Sequence, residues 1–196
     1  MASSSDSTKK KIVLCISGMA GCGKSTAAKK IAEKYELRYF SGGDALKALA
    51  LEAGSKSVDG GWWESEEGMH FLKKRTEDSS FDRKVDEKLL EWARRGDVVL
   101  DSWTMPWLLE TSFKIWLEAS PRERARRIAQ RDKISIEKAF AALKEKDAKT
   151  KAIYKKLYGF DLGEDFSPFN LILDVNDLGP EEVLKTLSLV IDRMFR

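Results

Sequence analysis

The chain has 196 residues, 42% of them hydrophobic, which is enough for one domain with a sizeable core and too short for two independent ones. Its 35 Lys and Arg against 32 Asp and Glu leave a charge of +3, which argues against a dedicated nucleic-acid or membrane surface, because such surfaces carry clustered charge. The two cysteines, Cys15 and Cys22, fit neither a disulfide framework nor a zinc site, so we expect a cytoplasmic protein.

Taken in chain order, residues 1–11 are rich in Ser and Lys without an apolar stretch, which predicts a flexible arm rather than a signal peptide. Short β-rich runs follow, and their continuous apolar character predicts strands buried on both faces of a parallel sheet. These runs cover residues 12–17, 37–41, 98–101, 113–119 and 170–175.

Helical patterns alternate with these runs, at residues 25–36, at 83–96, after Ser120-Pro121 and from Gly179-Pro180 onward. The alternation predicts an α/β fold with right-handed crossovers, formed by a single domain over residues 12–196. Two intervals, 42–97 and 132–162, are longer than a crossover helix needs. We expect both to form moving lobes.

Residues 18–26, GMAGCGKST, match the phosphate-binding motif G-x-x-x-x-G-K-[ST] between a predicted strand and a predicted helix. Converging backbone N–H groups, permissive glycines and a helix N-terminus suit a polyphosphate. Lys24 would reach its β- and γ-phosphates, and the Ser25 hydroxyl would ligate Mg²⁺. The alternative is a chance glycine turn, which the Lys, the Ser and both flanking elements argue against. We therefore predict an ATP-binding loop made of Gly18, Met19, Ala20, Gly21, Cys22, Gly23, Lys24, Ser25 and Thr26.

Three further residues are candidates for the same site. Asp101 ends the third run, at the edge of the sheet where open α/β folds bind ligands, so we predict that it holds Mg²⁺ directly or through water. A loop-capping Asp is the alternative. Arg127 and Arg131 are four residues apart on one helical face and could contact a base and phosphates. On spacing alone, a solvated basic face explains them better.

Several segments together closely resemble the archaeal-type cytidylate kinases, a branch of the nucleoside monophosphate kinases. The resemblance covers almost the whole chain after residue 11 and is carried by residues 18–26, 41–50, 81–101, 127–135 and 154–161. It implies a P-loop NTPase fold of three α/β/α layers, with a five-stranded parallel sheet in the order 2-3-1-4-5. The interval 42–97 would be a helical lobe that binds the nucleoside monophosphate, and the interval 132–162 would be a lid.

The same resemblance implies a reaction and the residues that perform it. ATP, with Mg²⁺, would phosphorylate a nucleoside monophosphate, CMP or dCMP, to give ADP and the diphosphate. The partners would be small nucleotides, with neither nucleic acid nor membranes, and the oligomeric state is left open with a monomer expected. Arg127 would cover the ATP base, while Arg131 and Lys146 would meet phosphates. The acceptor would contact Ser41, Asp44, Lys47, Asp82, Arg83 and Asp86.

The chain departs from the family pattern at positions where Arg is common, which are Lys47, Ser102, Lys146 and Ile153. Lys keeps the charge but loses the bidentate fork, and Ile loses both. Lys24, in contrast, is the standard phosphate-loop lysine, where many archaeal relatives carry Thr. Two alternatives therefore stay open: a kinase for another small acceptor, such as a different nucleoside monophosphate, a nucleoside or an alcohol, and a nucleotide-binding regulatory protein without efficient transfer. The aromatic segments 62–63 and 103–107 also suit a less charged acceptor.

Overall fold

The computed structural model describes residues 11–56, 58 and 61–194, so residues 1–10 of the expected flexible arm lie outside the described part. The first half of the chain contains β1 (Val13–Ser17), α1 (Lys24–Lys34), β2 (Arg38–Ser41), α2 (Gly42–Glu52), a 3-10 turn (Trp62–Glu64), α3 (Glu66–Glu77) and α4 (Ser80–Arg95). The second half contains β3 (Val98–Asp101), α5 (Met105–Leu108), β4 (Phe113–Glu118), α6 (Pro121–Asp132), α7 (Ile136–Tyr158), β5 (Leu171–Asp174) and α8 (Pro180–Met194).

The five strands form a single parallel sheet in the order β2-β3-β1-β4-β5, which confirms the expected topology. The central strand β1 pairs with β3 on one side and β4 on the other. Leu14, Cys15 and Ile16 in it are fully buried. A strand in this position has helices over both faces, which is why its sequence is apolar without alternation.

The prediction of strands buried on both faces is wrong for both edge strands, because no residue of β2 is buried and the same holds for β5. The residues of β5 alternate between half-buried and exposed, and Ile172 is 50% exposed. The reason is its position at an edge of the sheet, where the covering helices reach only one face.

Helices cover both faces of the sheet and give the three expected layers. On one face α1 packs against β1 and α8 packs against α1, and their side chains join Leu14 and Ile16 in one apolar cluster. On the other face α2, α4 and α5 form a second cluster with Cys15 and Leu100. Successive β1 side chains thus point to opposite layers, as the period of a strand requires.

The interval 42–97 contains α2, the 3-10 turn, α3 and α4, and the interval 132–162 contains α7. The ends of these helices follow from local chemistry: the Ser65 hydroxyl caps α3, the Ser135 hydroxyl caps α7, and Gly159 ends α7 with a positive φ. Helix α7 packs along both α6 and α3, so it lies against the first interval. Movement of the two intervals stays a prediction. Within the described ranges, each helix is too short or too polar to cross a membrane.

Candidate active site

A cavity of about 880 Å³ opens at the carboxyl edge of the sheet, beneath α7. This volume lies at the upper end of the range for ligand sites. It is continuous from the phosphate loop and the segment 176–180 to α2 and α4. The predicted site residues that line it are Ala20, Gly21, Cys22, Gly23, Lys24, Ser25, Thr26, Ser41, Asp44, Lys47, Asp82, Asp86, Asp101, Arg127, Arg131 and Lys146.

The phosphate loop has the backbone that its glycines predict. Gly21 and Gly23 have φ of 81° and 97°, a region that other residues rarely adopt. The loop turns directly into α1, and no side chain among the described residues caps the start of this helix. The first N–H groups of α1 are therefore free to face an anion in the cavity.

Gly18 and Met19 belong to the loop but are not among the residues that line the cavity, so their role in binding ATP stays a prediction. The Gly18 carbonyl accepts a hydrogen bond of 2.7 Å from Trp103 Nε1, and an added Cβ on Gly18 would lie 2.4 Å from the Leu117 carbonyl oxygen. Met19 packs into the apolar cluster around Trp116. These two residues therefore hold the loop against the protein interior.

We call the part of the cavity beside the phosphate loop the donor half and the part beside α2 and α4 the acceptor half, and Lys24 and Asp101 line the donor half. The Lys24 ammonium lies 5.1 Å from the centroid of the Trp103 ring, within the distance of a cation–π contact. The Asp101 carboxyl is buried, and its Oδ2 accepts a hydrogen bond of 3.1 Å from the Tyr39 hydroxyl. Ser25 lines the same cavity. Among the described residues no group of three His, Cys, Asp or Glu side chains comes together, so an ion here would also need oxygens from phosphates or water.

Arg127 hydrogen-bonds both to the phosphate loop and to the segment that directly follows β5. Its guanidinium donates to the Cys22 carbonyl at 3.0 Å, to the Val175 carbonyl at 2.5 Å and to Glu123 Oε1 at 2.8 Å. Hydrogen bonds from Arg126, and then from Arg127, lower the pKa of Glu123 to about 2. The Asn176 carbonyl accepts a fourth hydrogen bond at 3.3 Å, so Arg127 is held by four partners while it lines the cavity near the segment 176–180.

Two buried carboxylates mark the acceptor half of the cavity. Asp82 pairs with Arg75, whose Nε and terminal nitrogen lie 3.1 and 2.5 Å from the two carboxylate oxygens, and both side chains are 1% exposed. The guanidinium also donates to the Tyr154 hydroxyl, at 3.3 Å. This pair therefore connects α3, α4 and α7 in the interior.

The second carboxylate, Asp86, lies one helical turn further along α4. It accepts hydrogen bonds from the Thr104 hydroxyl and, at 2.6 Å, from the Tyr158 hydroxyl. Burial raises the pKa of Asp86 to about 6, and the two hydrogen bonds oppose that rise. Near neutral pH this group is an ionised acceptor facing the cavity.

The other predicted acceptor residues divide into two groups. Ser41, Asp44 and Lys47 line the cavity, and the Ser41 hydroxyl caps α2 by accepting from the Asp44 N–H at 3.1 Å. Arg83 does not line it and is exposed instead. The buried residues of α4 fall on the face of Asp82, Val85 and Asp86, and a helix turns Arg83 about 100° away from that face, so its contact with an acceptor stays a prediction.

Arg131 and Lys146 approach the cavity from α6 and α7 and share one carboxylate. The Arg131 guanidinium lies 3.2 Å from Glu64 Oε2, and Lys146 Nζ lies 3.7 Å from Glu64 Oε1. Lys146 Nζ is also 4.7 Å from the centroid of the Trp63 ring. Burial lowers the pKa of Lys146 to about 8, while Glu64 opposes this. Burial raises the pKa of Glu64, and the two cations oppose that rise.

Four residues that shape the site, Tyr39, Glu64, Arg75 and Trp103, are missing from the set of predicted site residues. Tyr39, Glu64 and Trp103 each act through a partner distant in the sequence, as between Glu64 and Lys146, whereas Arg75 pairs with Asp82 on the next helix. Arg75 follows two lysines in a polar helix, so its sequence context predicts a solvent-exposed side chain. A helical wheel of α3 could have predicted that Arg75 is buried, because it places Arg75 on the same face as Phe71 and Leu72.

The profile of the Cytidylate kinase-like family matches residues 13–177, which is most of the chain. The chain belongs to the cytidylate kinase-like family. Its membership confirms the resemblance and makes it an enzyme of the kinase class. The matched region begins at β1 and ends after β5, so it covers all five strands of the sheet of this kinase.

Named relatives of this cytidylate kinase-like chain come from archaea. A protein named cytidylate kinase from Pyrococcus horikoshii is 34% identical over 187 residues, which is 95% of this chain and 91% of the relative. A protein of the same name from Ignicoccus hospitalis is 34% identical over 178 residues, or 90% and 96% of the two chains.

Solved structures show the fold of this cytidylate kinase-like chain. An uncharacterized protein from Eubacterium ventriosum aligns with a TM-score of 0.61 at 13% identity, covering 94% of this chain and 99% of its own. Shikimate kinase from Bacteroides thetaiotaomicron aligns with a TM-score of 0.57 at 18% identity, covering 92% and 98%. The fold is thus that of the P-loop kinases.

Proposed function

We propose that the chain transfers the γ-phosphoryl group of ATP, with Mg²⁺, to a nucleoside monophosphate, CMP or dCMP, and releases ADP and the nucleoside diphosphate. The observation that carries this proposal is the single continuous cavity, which joins the phosphate loop to two buried carboxylates on α4. The names of the archaeal relatives supply the class of acceptor.

In this proposal the protein positions the two nucleotides and neutralises charge. Phosphoryl transfer goes through a loose transition state that needs little covalent help. Lys24 would contact the transferring group, and Arg131 and Lys146 would balance the charge from the opposite side. Arg127 would lie over the adenine base. Helix α7 would exclude water, which otherwise competes as the acceptor.

Ser25 and Asp101 fit Mg²⁺ because a hydroxyl and a carboxylate are the hard oxygen donors that this ion takes, and both line the donor half of the cavity. Bound there, the ion would neutralise charge on the β- and γ-phosphates. The Tyr39 hydroxyl holds one oxygen of Asp101 in place, which leaves the other oxygen for the ion or its water.

Asp86 would select the acceptor base. Cytosine presents an amino group as a hydrogen-bond donor where uracil-type bases present an acceptor oxygen. An ionised Asp86 can only accept, so it matches cytosine and repels the oxygen of uracil. Asp82, Ser41, Asp44 and Lys47 would complete the acceptor site, and Arg75 fixes Asp82 in position.

An ADP-release assay with CMP, dCMP, UMP, AMP and GMP tests the proposal. We expect CMP or dCMP to raise turnover by orders of magnitude, with UMP roughly 10- to 100-fold weaker in kcat/KM. The Asp86→Asn variant should reduce the preference for CMP over UMP. If none of the five monophosphates stimulates ADP release, the proposed function is wrong.

A kinase for an uncharged acceptor is the second candidate. It is favoured by Lys47, which is the one cation that α2 and α4 contribute to the described cavity lining. In the position where relatives commonly carry Arg, Ser102 is buried and hydrogen-bonds to Thr104. The same assay with cytidine and with simple polyols distinguishes the two candidate functions. A kinase for an uncharged acceptor requires faster turnover with cytidine or a polyol than with any monophosphate.

A further inference from the structure

The 3-10 turn Trp62–Glu64, which we call the lid seat, joins the acceptor side of the cavity to α6 and α7. Glu64 contacts Arg131 of α6 and Lys146 of α7, and the Trp63 ring lies under the Lys146 ammonium. The Glu64 side chain is 5% exposed and that of Lys146 is 9% exposed. One buried carboxylate from a third element thus contacts both cations, and Arg131 also donates to the two Asp132 carboxylate oxygens at 2.7 and 2.6 Å.

The lid seat is itself held firmly. Trp62 is buried against Trp63 and Phe71, and the Ser65 hydroxyl donates to the Trp62 carbonyl at 2.6 Å. Gly68 of α3 lies so close that an added Cβ would be 2.0 Å from the Trp62 carbonyl oxygen. On the other side, an added Cβ on Gly61 would lie 3.5 Å from Asp132 of α6.

We propose that the lid seat positions Lys146 and Arg131 for phosphoryl transfer, with Glu64 as a positioning residue that keeps Lys146 charged at the cavity wall. The effect of the lid seat on catalysis rests on the proposed function. Its effect on the position and charge of Lys146 is independent of that function.

The charges around Lys146 explain why a carboxylate is needed there. The carboxyl groups beside it are Glu64 of the lid seat and Asp132 of α6, and Asp132 adds to the rise that burial causes in the pKa of Glu64; Arg131 of α6, Lys24 of α1 and Arg75 of α3 are positive. Burial and the three cations all favour the neutral amine, so Glu64 is the main group that favours the ammonium. The Trp63 face adds a cation–π contact, which also requires the charged form.

Glu64→Gln keeps the shape of the side chain and removes its charge, and it should lower the pH at which Lys146 loses its proton. We would follow the lysine side-chain carbon next to Nζ by NMR in full-length ¹³C-lysine protein, and assign Lys146 by its absence in Lys146→Arg. We expect the titration midpoint to fall by about one pH unit or more. Glu66→Gln, an exposed carboxylate at the start of α3, is the matched control and should leave the midpoint unchanged.

Single-turnover rates with ATP and CMP between pH 6 and 9 give the second measurement. The fall in rate at alkaline pH should move to lower pH in Glu64→Gln and not in Glu66→Gln. Adding Glu64→Gln to Lys146→Arg should leave the pH dependence unchanged, because arginine stays charged in this range. A role in folding alone would instead lower the rate by one factor at every pH.

The two measurements separate this proposal from the proposed function. An unchanged Lys146 midpoint in Glu64→Gln overturns the lid seat, whether or not CMP is a substrate. A lowered midpoint supports the lid seat even if the monophosphate assay overturns the proposed function, since the NMR measurement needs no acceptor.

Discussion

Lys24 is the residue whose removal should separate binding from transfer. Its ammonium faces the donor half of the cavity, so Lys24→Met should lower kcat by about 100- to 1000-fold through lost stabilisation of the transferring group. The ADP-release assay measures this. Lys29→Met is the matched control, because Lys29 lies one turn further along α1, is exposed, and is not among the residues that line the cavity. Activity above a tenth of wild type in Lys24→Met would contradict the role.

Asp86 should make stability depend on pH in a defined direction. Burial raises its pKa to about 6, above the roughly 3.9 of an unfolded Asp. Such a group stabilises the fold below the unfolded value, and this contribution is lost as pH rises through the folded value. The free energy of unfolding should therefore fall relative to Asp86→Asn by up to about 3 kcal/mol between pH 4 and pH 7. Urea unfolding of both proteins across this range measures it, and a constant difference would refute the prediction.

The contact between α3 and α4 depends on the buried pair of Arg75 and Asp82. Arg75→Met leaves the Asp82 charge buried without its partner, which should cost about 3–5 kcal/mol of unfolding free energy. The urea midpoint measures this loss. Arg75→Met combined with Asp82→Leu replaces both charges by apolar groups and should recover most of it. A single variant as stable as wild type would show that the pair does not hold the two helices together.

The junction between the lid seat and α3 leaves no room for a side chain at Gly68. Gly68→Ala should therefore destabilise the fold by roughly 2 kcal/mol or more, because the new methyl group would overlap the Trp62 carbonyl. Gly43→Ala is the matched control in α2, where the added Cβ meets only the Ser41 hydroxyl oxygen at 3.6 Å. Thermal unfolding compares the two, and equal melting temperatures would rule out the close approach.

Local elements were predictable from the sequence, whereas contacts between distant elements were not. The strand, loop and helix around Lys24 follow from a motif whose residues are all neighbours. The exposure of β5 could not be predicted from its apolar run, since it depends on which strand lies at the edge. Family resemblance named Asp82, Asp86 and Arg83 together, and only the orientation of α4 shows that the first two line the cavity and Arg83 does not. Glu64 and Arg75 needed the fold itself, because their partners lie on other helices.

At the scale of the whole molecule, the cavity lining joins α1, α2, α4, α6 and α7. Ligands that fill both halves should therefore stabilise all of these elements together. A non-hydrolysable ATP analogue with CMP should raise the unfolding free energy more than either alone, by about 2.7 kcal/mol for each ligand at 100 times its Kd. Calorimetry with single and paired ligands measures this. An effect of the pair no larger than that of one ligand would mean that the cavity binds only one at a time.

The positions of two tryptophans also make the cavity optically observable. Trp103 lies beside the Lys24 ammonium in the donor half, and Trp63 lies beside the Lys146 ammonium on the opposite wall. Indole emission responds to nearby charge, so a phosphate that draws either ammonium away should change the intrinsic fluorescence without any attached dye. The chain has six tryptophans, so replacing Trp103 and Trp63 by Phe one at a time would assign the ligand-dependent change to one half of the cavity by its loss, against the emission of the remaining indoles.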